Sequence, residues 1–120
     1  MLVKDAVGRF GEDLAARHLV AAGLQVLARN WRCSDGELDI VARDGELVCF
    51  VEVKTRSTTA FGAPIEAMTP AKVARIHRLA LRWLDEHRES VGWPALRFDV
   101  VSVIRLTADG PAVEHLRGVF

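Results

Sequence analysis

The chain has 120 residues, and 16 Lys+Arg balance 16 Asp+Glu to a formal net charge of zero. Half the residues are hydrophobic and 27% are charged, so we read residues 1–120 as one globular domain with a real core. The neutral sum argues against a nucleic-acid-coating protein, which would be basic, but not against a nuclease, whose acidic metal ligands offset its phosphate contacts.

No apolar run approaches the ~20 residues of a membrane span, and Lys4, Asp5 and Arg9 interrupt the N-terminus where a signal peptide is apolar. We therefore expect a cytoplasmic protein with no membrane partner. Residues 5–22 predict a helix that Gly23 ends as a left-handed cap. At about 100° per residue, Gly8, Gly11, Ala15 and Ala22 fall on one narrow stripe. A helix-interior glycine costs about 1 kcal/mol relative to alanine, so this pair points to close backbone approach to a sheet. Glu12 sits at the rim of that stripe. It can reach over the sheet, or it is a solvated acid favoured by the helix dipole.

Leu24 to Trp31 predicts the first strand. Residues 36–43 and 46–54 predict a hairpin about Asp44-Gly45. Residues 55–63 read as a loop rich in small polar residues. Thr69 as N-cap and Pro70 at the first helical position open a second helix, running to about Glu89. Leu96 to Ile104 alternates as a strand, and 113–119 is a weaker one. The class is α/β, a mixed central sheet flanked by helices. Of the cysteines, Cys33 and Cys49, neither belongs to a C-x-x-C, and Cys49 reads as a buried strand thiol.

The hairpin carries charges where a core strand should not. Glu52 and Lys54 interrupt the apolar end of the run from Leu47, and Glu37 and Asp39 lie on the partner strand. Desolvating an ion costs several kcal/mol unless it is paired or binds metal. With Asp44-Gly45 as a two-residue turn, Arg43 pairs with Glu46, Asp39 opposes Phe50 and Glu37 opposes Glu52. Asp39 and Glu52 are then diagonal neighbours about 7–8 Å apart, with room for a cation. Two carboxylates and a backbone carbonyl suit Mg²⁺ or Mn²⁺, and Lys54 on the same face can orient water or stabilise charge on a phosphate. The plain alternative is a Glu52–Lys54 ion pair at the wet end of a strand. Glu37 fits either a further site carboxylate or a surface charge.

Taken together, Gly8-x-x-Gly11-Glu12-x-x-Ala15, Arg29-Asn30-Trp31-Arg32, Gly36-Glu37-Leu38-Asp39-Ile40-Val41 and Phe50-Val51-Glu52-Val53-Lys54-Thr55-Arg56 resemble the YraN-type family of small bacterial proteins. Phe61-Gly62-x-Pro64, Lys72 and Arg97-Phe98-Asp99-Val100-Val101 extend the resemblance over nearly the whole chain. That family is similar in fold to the PD-(D/E)xK restriction-endonuclease-like superfamily, especially its Holliday-junction resolvases. The resemblance implies an αβββαβ core. It gives Asp39, Glu52 and Lys54 the motif positions, Glu12 the acid of the first helix, and the Val53 carbonyl a metal-ligand role. Leu38 stands where the motif has proline. The resemblance also implies a homodimer acting on branched DNA, without settling turnover.

Arg75, Arg78 and Arg82 share one arc of the second helix, and Lys72 lies in its first turn beside the site loop. Arg29 and Arg32 flank Trp31, and Arg56 follows Lys54. Of these, Arg32, Arg56, Lys72 and Arg75 are the candidate phosphate contacts, against the alternative of a solvated, locally paired surface. Phe61 can wedge into DNA or close a pocket. Arg97 and Asp99 read as a local ion pair. The expectation is a metal-dependent DNA endonuclease; the alternative is a non-catalytic nucleic-acid- or protein-binding module on the same fold.

Overall fold

A computed structural model describes residues 3–58 and 68–120. Helix α1 (Val3–Ala21) leads into strands β1 (Gln25–Cys33), β2 (Gly36–Asp44) and β3 (Leu47–Arg56). Helix α2 (Pro70–Glu86) and the short α3 (Arg88–Val91) follow, then β4 (Ala95–Ile104) and β5 (Ala112–Leu116). The five strands form one sheet in chain order. Only β3 and β4 run parallel, as a helical crossover requires; the other neighbours are antiparallel. This is the expected mixed sheet flanked by helices, in an αβββαβ-like order. Among the described residues, no helix is long and apolar enough to cross a membrane.

Each sheet face carries its own core. Ala15 and Leu19 of α1 pack on Ile40, Ala42, Cys49, Val51, Val101 and Val103. Ile76, Leu79, Ala80, Trp83 and Leu84 of α2 pack on Leu38, Val41, Val48 and Phe50. β3 is covered on both sides, which is why its apolar run is continuous rather than alternating. Cys49 is buried, as its strand position implies. Thr69 caps α2 by accepting the Lys72 N–H at 3.2 Å.

Three expectations change. Thr55 and Arg56 extend β3 instead of opening the 55–63 loop, of which residues 59–63 lie outside the described residues. The second helix stops at Glu86 instead of Glu89. His87 Nδ1 donates to the Trp83 carbonyl at 2.6 Å, the acceptor that the next helical N–H would use, and the His87 N–H turns to Leu84 instead. The hairpin register is also two residues away from the expected one. Asp44 pairs with Leu47 and Val41 with Phe50, so Gly45 and Glu46 form the turn. Gly45 has φ 60 and is the only positive-φ residue of that turn, which fits glycine at the first central position. The expectation had put glycine second.

A further irregularity aims β2. Leu38 packs toward α2 and Ile40 toward α1, although strict alternation would put both on one face. Across from this break, Asn30 of β1 has φ 53, the only positive φ outside glycine among the described residues. Asparagine tolerates that conformation better than most side chains. The pleat is reset at this point, and Asp39 sits at the reset.

Candidate metal centre

Glu12 reaches the sheet because α1 lies almost against it. Gly11 is buried over Thr55, and a Cβ at Gly11 would come within 2.7 Å of the Thr55 Cβ and nearer still to its hydroxyl. The expected close approach is thus real, and it belongs to Gly11. A Cβ at Gly8 would meet nothing within 4 Å; Gly8 instead lines the cleft.

Asp39 faces this helix. Its Oδ2 accepts the Val53 N–H at 2.9 Å, at the level where the β2–β3 ladder ends with Ile40 and Val51. The paired register stops at Ile40 and Val51, so Asp39 and Glu52 lie just beyond the end of the ladder, and no pairing sets Glu37 opposite Glu52. Carboxylate oxygens of Glu12, Glu37 and Asp39 come within 4.8 Å of one another, and Glu37 is also ion-paired to Arg32 Nε at 2.9 Å. A cleft of about 650 Å³ opens here, lined by Gly8, Glu12, Asp39, Val53, Lys54 and Ser57 among others.

Glu52 stands outside that trio and interacts with Asp39 from the α2 side, where Lys72 and Arg75 also act on it. Burial is the main force on both acids. It pushes Asp39 up to about 6, aided by Glu12 and Glu37 and opposed by the Val53 N–H. It pushes Glu52 up to about 8, aided by the Asp39 charge and opposed by Lys72 and the Asp39 backbone N–H. Asp39 and Glu52 resist ionisation because ionising them beside the neighbouring acids would concentrate negative charge in a poorly solvated place. A hard divalent cation is the species that such an oxygen set accommodates.

The structure therefore brings Glu12, Asp39, Val53 and Lys54 to one cleft and Glu52 to its flank. Glu37, left open from sequence, joins the carboxylate group. Its signal was parity with Asp39, two residues along the strand. The cationic candidates are more scattered. Lys72 acts on both Asp39 and Glu52. Arg75 is exposed and passes over Gly36 at the start of β2. Arg32 is exposed and held by Glu37, and Arg56 is half-buried at the end of β3. Trp31 packs on the α2 core, the half-buried strand position. Arg82 is paired to Asp35 and Glu86. Phe61 lies outside the described residues.

A second charged group occupies the other end of the sheet. Asp99 is fully buried and accepts from Arg97 Nε at 2.9 Å, His115 Nε2 at 2.8 Å and the Gly118 N–H at 2.9 Å. Burial pushes Asp99 up, but the His115 and Arg97 hydrogen bonds prevail and hold it down at about 2. Arg97 also pairs with Asp44 at 2.9 Å. The expected Arg97–Asp99 pair is therefore the centre of a structural network. His115, which gave no signal in the sequence, is part of it.

Residues 11–103 match the model of the Uncharacterised protein family UPF0102, and the chain belongs to that family. It is 59% identical to a UPF0102 protein of Beutenbergia cavernae over 99% of both chains. It is 55% identical to one of Frankia casuarinae over the full length of both. A third, from Acidothermus cellulolyticus, is 50% identical over 98% of this chain and 95% of its own.

Proposed function

We propose that this chain is a metal-dependent DNA endonuclease of the PD-(D/E)xK type, acting on branched or otherwise structured DNA as a homodimer. The observation that carries the reading is the meeting of Glu12, Glu37 and Asp39 within 4.8 Å, in a cleft that Lys54 also lines. A fold in the αβββαβ order supports it, because that order sets Asp39 and Lys54 on adjacent strands with the helix carrying Glu12 over them. Asp39, Glu52 and the Val53 carbonyl would hold Mg²⁺ or Mn²⁺. The ion, when bound, supplies an activated water and neutralises charge on the phosphate.

The chain's own groups supply the rest. The Val53 N–H fixes the Asp39 carboxylate, so one oxygen is pre-aimed without a rotamer search. The Lys54 ammonium orients the nucleophile and stabilises charge on the phosphate oxygens. Glu12 completes the carboxylate wall and can take the proton of the attacking water. Lys72, Arg75, Arg56 and Arg32 offer contacts to flanking phosphates, which position the substrate without reading sequence.

The test is cleavage of end-labelled four-way junctions, flaps and single strands in Mn²⁺, with Asp39→Ala and Glu52→Ala as controls. We expect nicking by the wild type and none by either variant. Equal activity in both variants would refute the site assignment. No cleavage of any substrate, with salt-sensitive binding retained, would favour a non-catalytic binding module.

A further inference from the structure

A second cavity lies on the C-terminal half of α1, away from the carboxylates. It measures about 430 Å³ and is formed by Ala16, Arg17, Val20 and Ala21 of the helix with Val26 and Arg29 of β1. Its walls are almost wholly carbon, and Val20 stays 58% exposed, whereas a helix flank facing only water is normally polar. The volume is within the range of ligand-binding pockets.

Charge and topology narrow the occupant. Arg17 and Arg29 border the groove. The acid beside them, Asp13, is bound to Arg29 at 2.8 Å and compensates it. Two arginines against one carboxylate leave the rim one net positive charge, at Arg17. β1 is an edge strand, so a guest lying along it meets a helix on one side and backbone polar groups on the other, a geometry that captures extended peptides. The edge is interrupted, however, by a register shift between Val26 and Ala28 and by the left-handed Asn30. Interruptions of this kind block long strand pairing. A second copy would also bring arginine against arginine across a two-fold axis.

We propose that this groove docks a short acidic segment of a partner protein, one bulky apolar side chain seated between Val20 and Val26 and a flanking carboxylate meeting Arg17. The surface recruits the enzyme without occupying the cleft, and the inference stands whether or not the cleft turns over.

The probe is a fluorescein-labelled peptide carrying one Phe flanked on each side by two Asp. Its controls are the same peptide with Ala for Phe and with Lys for Asp. Anisotropy should show saturable binding that weakens about tenfold or more for each control, and for Val20→Asp and Arg17→Glu, both at exposed positions that leave the fold intact. Amide shifts in ¹⁵N spectra should map to 16–29. Three results would overturn the proposal: no binding at millimolar peptide, equal binding of the lysine control, or shifts at 16–29 that track protein concentration without peptide. The last would make a second copy the occupant.

Discussion

The carboxylate centre predicts that removing one of its charges stabilises the metal-free protein. In Asp39→Asn the amide oxygen can still accept the Val53 N–H, so the contact survives and the charge goes. Burial raises Asp39 from its ordinary 3.8 to about 6, which at about 1.36 kcal/mol per pH unit corresponds to about 3 kcal/mol carried by the ionised form. Water in the open cleft screens part of this, and we expect a gain of about 1–3 kcal/mol at pH 8 in EDTA. The sign follows from proton uptake. Because its pKa is higher folded than unfolded, the native wild type holds extra protons between pH 4 and 6; its stability is full below that window and falls as pH rises through it. Glu52, raised to about 8, extends the decline. The variant lacks the Asp39 part, so the two proteins match at pH 4 and diverge by pH 7. At about 4 °C per kcal/mol for a chain of this size, Tm should rise by about 4–12 °C at pH 8. Mn²⁺ should close or reverse the gap: saturation 100-fold above Kd stabilises the wild type by about 2.7 kcal/mol and the variant hardly at all. Thermal unfolding from pH 4 to 8.5, with EDTA and with Mn²⁺, measures all of this. A variant no more stable than wild type at pH 8 in EDTA, or stabilised equally by Mn²⁺, would refute the reasoning.

Gly11→Ala should destabilise by about 1–3 kcal/mol through overpacking on Thr55, and Thr55→Ala in the same chain should recover only part of the loss in urea unfolding, since it removes the hydroxyl and methyl but leaves the Cβ at 2.7 Å. Asp99→Asn should cost about 3–5 kcal/mol by leaving the Arg97 guanidinium short of its buried partner. Its effect should be local, with hydrogen-exchange protection falling first in β5 and at Gly118, whose N–H Asp99 accepts.

Much of this architecture is legible in single residues. Gly23 and Thr69-Pro70 mark helix ends through backbone sterics that act within three residues, and the left-handed Gly23 and the Thr69 cap appear where expected. The continuous run from Leu47 announces a strand covered on both faces. The hairpin register is different, because Asp44-Gly45 is compatible with glycine at either central turn position. The backbone sign at Glu46 decides between them, and composition does not encode that sign. A choice of one position moves every cross-strand partner by two, from Val41 opposite Val48 to Val41 opposite Phe50.

That error was harmless to the site residues but not to their grouping. A two-residue slip alone preserves which face each side chain takes, but the pleat resets at Asp39, which turns toward Glu12 of α1 while Glu52 feels Lys72 and Arg75 of α2. What changes is the company of Glu37. In the expected register it faces Glu52; in the structure it turns with Asp39 toward Glu12. The grouping of Glu37 with Asp39 follows their parity within β2; what β2 does not report is the reset of the pleat across from Asn30, φ 53, which turns Ile40 to the α1 side as well. His115 was hidden for the same reason: its partner Asp99 reaches it across the β4–β5 pairing of Val101 with His115, and short, weakly patterned β5 fixes no register of its own. Local chemistry thus names the candidate groups, while non-local pairing decides which of them share a cation.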